Sequence, residues 1–222
     1  MLVMTALGCG AGSGDGGASS GPSSPDATPA PVKHLVYLHG RIIEDQGVRP
    51  THPRYGTYEY REILDAFTAA GFEVDSDVRP AGTIPLEYAE LTAHRVRELI
   101  DAGVPPSDIT VVGFSKGGVI AVLTALALDR PDVNYVFIAC CGPWIDRALA
   151  DPAREIRGRM LSLYEASDSV GSCSSLFDRA SADSTTAELE LHLGGAHGAF
   201  YRPHSEWIDP VIRWATGDDP AG

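Results

Sequence analysis

The chain has 222 residues, 44% of them hydrophobic, and a formal net charge of −13 at pH 7. This composition is ordinary for a soluble globular protein. About 190 residues follow a non-globular start, which is enough for one domain with a single sizeable core. The negative charge opposes binding to nucleic-acid phosphates and to anionic lipid surfaces, so we expect no nucleic-acid partner. The sequence has no apolar run long enough to predict a membrane-spanning helix.

The first 31 residues have the composition of a leader followed by a flexible tether. Seven apolar or small residues precede Gly8 and Cys9, and a long stretch rich in Gly, Ser, Pro and Ala follows. Such a stretch buries too little apolar surface to fold. The start resembles a truncated bacterial lipoprotein signal peptide, which implies export and a lipid anchor on Cys9. The alternative is a disordered leader with an incidental cysteine on a cytoplasmic protein.

From Lys33 onward, strand-like and helix-like segments alternate. Apolar or alternating runs predict six strands, at 34–40, 72–79, 108–114, 133–142, 159–166 and 185–195. Segments with helical spacing, often closed by glycine, predict helices at 58–71, 85–103, 116–129 and 203–217. This alternation requires crossover connections. The sequence therefore predicts one α/β domain over residues 32–217, a three-layer αβα sandwich around a mainly parallel six-stranded sheet.

Sites of open α/β sheets form at the carboxyl ends of the strands. That rule selects a small set of polar residues that follow predicted strands: His39, Arg41, Ser115, Glu165, Asp168 and His197. The other histidines fit ordinary surface or structural positions, and for His39 we favour a structural role in the turn over proton transfer.

The segment Gly113-Phe114-Ser115-Lys116-Gly117 matches the pattern G-x-S-x-G between a predicted strand and a predicted helix. Its glycines allow the backbone to turn sharply, so that the serine hydroxyl projects above the sheet. The helix that begins there presents unpaired N–H groups to an oxyanion. Because it follows a fully apolar predicted strand, the pattern indicates a nucleophilic serine much more strongly than the bare motif does.

A serine hydroxyl becomes a good nucleophile only when a base takes its proton, and that base needs an orienting acid. Asp168 follows the fifth predicted strand, and His197 lies between glycines after the sixth. Ser115, Asp168 and His197 thus follow one another in the order nucleophile, acid, base. Glu165, at the strand end, and Asp146, after the fourth strand, are alternative acids, but a short loop before Asp168 favours that residue.

These residues and their order resemble those of the α/β-hydrolase superfamily over roughly residues 33–215. The segment His39-Gly40-Arg41 after the first strand resembles the HG turn of that superfamily. The resemblance implies an oxyanion hole formed by the backbone N–H groups of Arg41 and Lys116. Residues before 33 leave no room for two leading strands. Only about sixteen residues separate the fourth and fifth predicted strands, so we expect a compact version without a large lid.

Several other features have two readings. Residues 41–60 are long and polar, and they either shape the substrate site or form a surface loop. Trp144, Phe200 and Tyr201 either line an acyl pocket or pack in the core. The side chain of Lys116 is expected to be solvated, since only its backbone is assigned a role.

The three cysteines outside the leader predict one disulfide if the protein is exported, between Cys173 and either Cys140 or Cys141. Their spacing has no zinc-ligand pattern, so we expect no metal site, and no cofactor is implied.

The sequence thus predicts a serine hydrolase that cleaves an ester-like bond of a small-molecule substrate through an acyl-enzyme. A peptidase or thioesterase with the same triad is the enzymatic alternative. A noncatalytic binding module on the same scaffold is the alternative from another class, and it gives no reason to retain a full triad.

Overall fold

A computed structural model describes residues 32–149, 151 and 154–222, and of Asp146 it describes the backbone only. The predicted leader, tether and Cys9 anchor fall in residues 1–31, which lie outside the described residues. None of the described helices is long and apolar enough to cross a membrane.

The described part of the chain contains eight strands, two of which form a small hairpin. The strands are β1 (Lys33–Leu38), β2 (Thr51–His52), β3 (Gly56–Thr57), β4 (Phe72–Asp75), β5 (Ile109–Phe114), β6 (Asn134–Ile138), β7 (Arg159–Glu165) and β8 (Thr185–Leu191). The helices are α1 (Arg41–Gln46), α2 (Tyr60–Ala69), α3 (Pro85–Asp101), α4 (Lys116–Leu128), α5 (Trp144–Ala148), α6 (Ser174–Phe177) and α7 (Ser205–Thr216). Two short 3₁₀ segments cover Pro106–Asp108 and Ala196–Tyr201.

The six long strands form one sheet in the order β4-β1-β5-β6-β7-β8. Every neighbouring pair is parallel, which confirms the predicted sheet. Three strands end four residues earlier than predicted, at Asp75, Ile138 and Leu191. The predicted strands were too long because the apolar or alternating sequence pattern continues past the last paired residues into the loops.

Helices cover both faces of this sheet, as the three-layer prediction requires. Alternate residues of β1 point to opposite faces: Val36 and Leu38 pack in the layer with α3 and α4, whereas Leu35 and Tyr37 pack in the layer with α1, α2 and α7. Helix α4 is apolar on nearly all sides because it lies between the sheet and α3. Its N-terminus is thereby fixed directly at the end of β5.

The polar segment 41–60 is more ordered than the sequence predicted. It begins with helix α1, which is followed by Gly47 in a positive-φ conformation that favours glycine. The Gly47 N–H donates to the Ile43 carbonyl at 2.9 Å. Ile43 is fully buried and anchors the helix. The β2–β3 hairpin follows. One short turn of helix with few apolar residues gives too weak a periodic signal to be found in the sequence.

A disulfide joins Cys141 to Cys173 and leaves Cys140 as a buried free thiol. This result selects one of the two predicted pairings. Sγ of Cys140 lies within 4.8 Å of both disulfide sulfurs, and burial raises the pKa of its thiol well above the ordinary value, so the thiol is held in its unreactive neutral form.

Candidate active site

Ser115 lies at a sharp corner between β5 and α4, with backbone angles φ 55° and ψ −119°. Its N–H donates to the carbonyl of Ile138 at 2.9 Å. Such a backbone conformation is costly for a residue with a side chain, and strain of this kind is concentrated at functional sites. The corner holds the Ser115 side chain above the carboxyl end of the sheet.

The glycines beside Ser115 permit this corner by close backbone approach. A Cβ atom at Gly117 would lie 1.8 Å from the carbonyl oxygen of Leu38, and one at Gly113 would lie 2.3 Å from the carbonyl oxygen of Gly117. Neither space can hold a methyl group. The G-x-S-x-G pattern is therefore a packing requirement between β5, α4 and the end of β1.

The hydroxyl of Ser115 faces the imidazole of His197, with 2.9 Å between Oγ and Nε2. The other ring nitrogen, Nδ1, lies 2.7 Å from Oδ2 of Asp168. The His197 side chain is 20% exposed and that of Asp168 4%. The structure thus brings together the three residues that the sequence placed in the order nucleophile, acid, base.

A hydrogen-bond network around Glu165 fixes the loop that carries His197. The buried carboxylate of Glu165 accepts hydrogen bonds from the N–H groups of Leu193 at 2.8 Å and Gly194 at 3.0 Å, and from Ser167 Oγ at 3.0 Å. Ser167 Oγ in turn accepts the N–H of Ala196 at 3.1 Å. Burial acts to raise the pKa of Glu165, but these donors outweigh it and lower the pKa. Glu165 therefore supports the loop, while Asp168 contacts the ring.

Arg41 and Lys116 are the first residues of α1 and α4. The first N–H groups of an α-helix have no partner within the helix. The backbone N–H groups of Arg41 and Lys116 are therefore suited to donate hydrogen bonds to an anion. The turn before Arg41 lies beside Ser115, since a Cβ atom at Gly40 would be 3.6 Å from Ser115 Cβ. The assignment of these two groups as oxyanion donors stays a prediction.

Below this turn lies a buried polar cluster that the sequence analysis missed. The carboxylate of Glu44 binds Nε of Arg79 at 2.9 Å through one oxygen and Nζ of Lys116 through the other. The Glu44 and Arg79 side chains are fully buried, and Lys116 is 17% exposed. The expectation of a solvated Lys116 side chain was therefore wrong, because a partner 72 residues away in the chain draws it inward.

His39 belongs to the same cluster and is also fully buried. Its Nε2 accepts the backbone N–H of Arg79 at 3.0 Å, and Arg79 Nη2 donates to the His39 carbonyl. Burial and the Arg79 guanidinium lower the pKa of His39 from 6.5 to about 4. The ring is therefore neutral near pH 7, which fits the structural role that the sequence favoured.

A cleft of about 310 Å³ opens over Ser115. Its lining is mixed, with aromatic, aliphatic and polar side chains from five segments of the chain: Tyr55, Ser115, Lys116, Val119, Ala139, Cys140, Trp144, Asp168, Ser169, Val170 and His197. Trp144 is thus a lining residue, whereas Phe200 and Tyr201 are buried in the core. Tyr55 comes from the β2–β3 hairpin, so residues 41–60 do shape the site.

Similarity of this chain to known proteins is found among solved structures. No family model matches the sequence, and no curated protein matches it significantly. Among solved structures, YbtT, a type II thioesterase from the yersiniabactin NRPS/PKS biosynthetic pathway, is similar with a TM-score of 0.57 and 13% identity over 86% of this chain and 96% of that chain. SOBER1 from Arabidopsis thaliana has a TM-score of 0.54 and 11% identity over 83% and 98% of the two chains.

A third similar structure is MGS-M1, an α/β-hydrolase enzyme from a Medee basin deep-sea metagenome library. Its TM-score is 0.54 and its identity 16%, over 84% of both chains. The chain has the α/β-hydrolase fold. In enzymes with this fold the nucleophile elbow is a sharp strand-to-helix turn. The corner at Ser115 is a turn of this kind, and Asp168 and His197 follow β7 and β8.

In this α/β-hydrolase fold, sequence reasoning missed the partners that lie far apart in the chain. Glu44 and Arg79 are separated by 35 residues, and only a weak cue, the spacing of Arg41 and Asp45 on one helical turn, pointed to a helix containing Glu44. Tyr55 had no cue beyond its place in a polar segment. The side chain of Asp146, the other alternative acid, lies outside the described residues.

Proposed function

We propose that the protein is a serine hydrolase of the carboxylesterase type, with Ser115, His197 and Asp168 as its catalytic residues. The observation that carries the proposal is the chain of contacts from Asp168 Oδ2 to His197 Nδ1 at 2.7 Å and from His197 Nε2 to Ser115 Oγ at 2.9 Å, on a nucleophile elbow. The α/β-hydrolase fold, shared with hydrolases of known structure, supports it.

In the proposed reaction Ser115 Oγ attacks the carbonyl carbon of an ester while His197 Nε2 accepts the hydroxyl proton. Asp168 holds the proton of the ring on Nδ1, which leaves Nε2 free as the base. The protonated His197 then gives its proton to the departing alcohol, and an acyl group remains on Ser115. A water molecule, activated by His197 in the same way, releases the acid and restores the serine.

The negative charge of each tetrahedral intermediate needs fixed donors. The backbone N–H groups of Arg41 and Lys116 are the proposed donors, since each begins a helix beside Ser115. Both would donate through the backbone, so neither side chain contacts the oxyanion itself.

The cleft supports small acyl groups as the substrate class. A space of about 310 Å³ that is lined by Val119, Trp144 and Val170 suits a short, uncharged acyl chain. We therefore expect activity on soluble short-chain esters without a rate jump at lipid interfaces.

The test is hydrolysis of a panel of short-chain esters, thioesters and peptides by protein lacking residues 1–31, in the wild type and in Ser115→Ala. We expect ester turnover in the wild type and a loss of about 10⁶-fold in the variant, because members of a triad act as a unit. Preference for a thioester or a peptide would change the substrate class but keep the mechanism. Ester turnover that survives in Ser115→Ala would remove Ser115 from the mechanism.

We also propose that the protein is exported and lipid-anchored through Cys9. The disulfide between Cys141 and Cys173 supports export, because such bonds persist in oxidising compartments. After expression in a bacterial host, the full chain should partition into detergent, and Cys9→Ala should release it to the aqueous phase. An aqueous wild-type protein with unmodified Cys9 would end the anchor proposal.

A further inference from the structure

The carboxylate of Glu44 connects the two structural elements that carry the proposed oxyanion donors. Glu44 lies on α1, the helix that begins with Arg41, and its Oε2 binds the side chain of Lys116, the first residue of α4. The Glu44 side chain thus links helix α1, which begins with Arg41, to the side chain of the first residue of α4. The Glu44 side chain is fully buried, and that of Lys116 is 17% exposed.

Arg79 fixes the same segment from the other side. Its guanidinium binds Glu44 Oε1 at 2.9 Å and also donates to the carbonyl of His39. These two partners flank the Gly40–Arg41 peptide, so Arg79 holds both ends of the segment that presents the Arg41 N–H. The guanidinium itself is held over the ring of Tyr88, at 5.4 Å.

We infer that Glu44 is a positioning residue for the oxyanion hole, which keeps the N–H groups of Arg41 and Lys116 aimed at one point. The inference rests on the proposed function, since an oxyanion forms only if Ser115 attacks a carbonyl. Donors of this kind act through fixed geometry rather than through reorganisation during the reaction. A link between α1 and α4 is therefore expected to affect the transition state more than substrate binding.

Because the cluster is charged, the direction of the change in kcat on substitution tests the inference. Glu44, Arg79 and Lys116 carry one negative and two positive charges, and His39 is neutral near pH 7. Replacing Glu44 by glutamine raises the local net charge from +1 to +2. If only charge mattered, the added positive charge would favour the oxyanion and raise kcat. If positioning matters, kcat falls despite the added charge.

The experiment measures kcat and KM for a short-chain ester, and the affinity for a trifluoromethyl ketone, which forms a tetrahedral oxyanion adduct with a serine nucleophile. Active sites are counted by complete labelling with a fluorophosphonate. For Glu44→Gln we expect kcat per labelled site to fall at least tenfold with KM within about twofold, and the ketone to bind weaker by a similar factor.

A second test variant and a control variant accompany Glu44→Gln. Lys116→Met removes the link to α4 but keeps the buried pair of Glu44 and Arg79, so it should fold even if Glu44→Gln does not, and its kcat should fall in the same way. Asp108→Asn is the matched control, since it breaks an ion pair with Lys33 near the opposite end of the sheet. It should lower thermal stability without changing kcat per labelled site.

An unchanged or raised kcat per labelled site, in Glu44→Gln or in Lys116→Met, overturns the inference while the proposed function stands. A wild-type protein that neither hydrolyses an ester nor reacts with the fluorophosphonate overturns the proposed function, and the inference with it. The labelling step therefore separates the two failures.

Discussion

The side of the site that carries Ser115 and the side that carries Asp168 and His197 differ in what fixes their geometry. Around Ser115 the backbone itself is confined: β5 passes directly into α4, and Gly117 touches the end of β1 without room for a Cβ atom. Around His197 the loops after β7 and β8 are held by hydrogen bonds to one buried carboxylate, that of Glu165. The corner at Ser115 depends on the shape of packed backbones, whereas the position of His197 depends on polar contacts.

The two sides of the site should therefore respond to different substitutions. A methyl group is the severe change beside Ser115, because packed backbones cannot separate without moving whole elements. An isosteric change of charge is the severe one beside His197, because it keeps shape but alters hydrogen bonding and the charge available to the ring.

Among the substitutions that compare the two sides, Asp168→Asn on the polar side is expected to have the largest effect. The amide keeps the shape of the carboxylate but stabilises the wrong tautomer of His197 and cannot balance the imidazolium. We expect kcat to fall by roughly 10²–10⁴-fold with the fold unchanged by circular dichroism. Asp146→Asn is the comparison variant and should cost less than about tenfold. If Asp146→Asn costs more than Asp168→Asn, the acid has been assigned to the wrong loop.

On the packed side, Gly117→Ala should destabilise the protein by about 3 kcal/mol or more, because the new Cβ would overlap the Leu38 carbonyl. Urea unfolding measures the loss. Gly171→Ala is the matched control, since a Cβ atom there meets nothing within 4 Å, and it should change the free energy of unfolding by less than about 0.5 kcal/mol. Equal stability of the two variants would show that the elbow is not closely packed.

Glu165→Gln should have a smaller effect, a loss of about 1–3 kcal/mol in the free energy of unfolding, because an amide accepts fewer and weaker hydrogen bonds than a carboxylate. Its kcat should fall less than that of Asp168→Asn, since His197 keeps its partner. Glu190→Gln, which changes an exposed carboxylate at the end of β8, is the control. A Glu165→Gln variant as stable as this control would exclude the supporting role.

The effect of Glu165→Gln should also depend on pH with a defined sign. The pKa of Glu165 in the folded protein lies below its ordinary value of 4.5, so the unfolded chain binds its proton more readily. The carboxylate stabilises the fold above about pH 4.5, and this contribution is lost as the pH falls through the folded-state pKa. The difference in unfolding free energy between wild type and variant should therefore shrink on acidification. A difference that grows would contradict the assignment.

The two sides also differ in how far the sequence predicted them. The elbow was predicted almost completely, because the motif, its strand and its helix are contiguous in residues 109–128. Asp168 and His197 were found from the order of elements, which places loops after successive strands at the same edge of the sheet. The sequence left two possible pairings for the disulfide. The choice between Cys140 and Cys141 as the partner of Cys173 required the structure.

The supporting residues were missed for a physical reason. Glu44 binds Arg79 and Lys116 from separate elements, and Glu165 binds backbone N–H groups 28 and 29 residues away. Backbone donors carry no sequence signal, and an isolated glutamate looks like any surface residue. Periodicity and motifs reveal elements and their order, whereas contacts between distant elements require the fold.

The proposed function requires that Ser115 be a nucleophile activated by His197. Mass spectrometry of the protein after reaction with a fluorophosphonate tests it most directly, using wild type, Ser115→Ala and His197→Ala. We predict one adduct on Ser115 in the wild type, no adduct in Ser115→Ala, and labelling slowed by several orders of magnitude in His197→Ala. A folded wild-type protein without an adduct, or an adduct that persists in Ser115→Ala, would contradict the account.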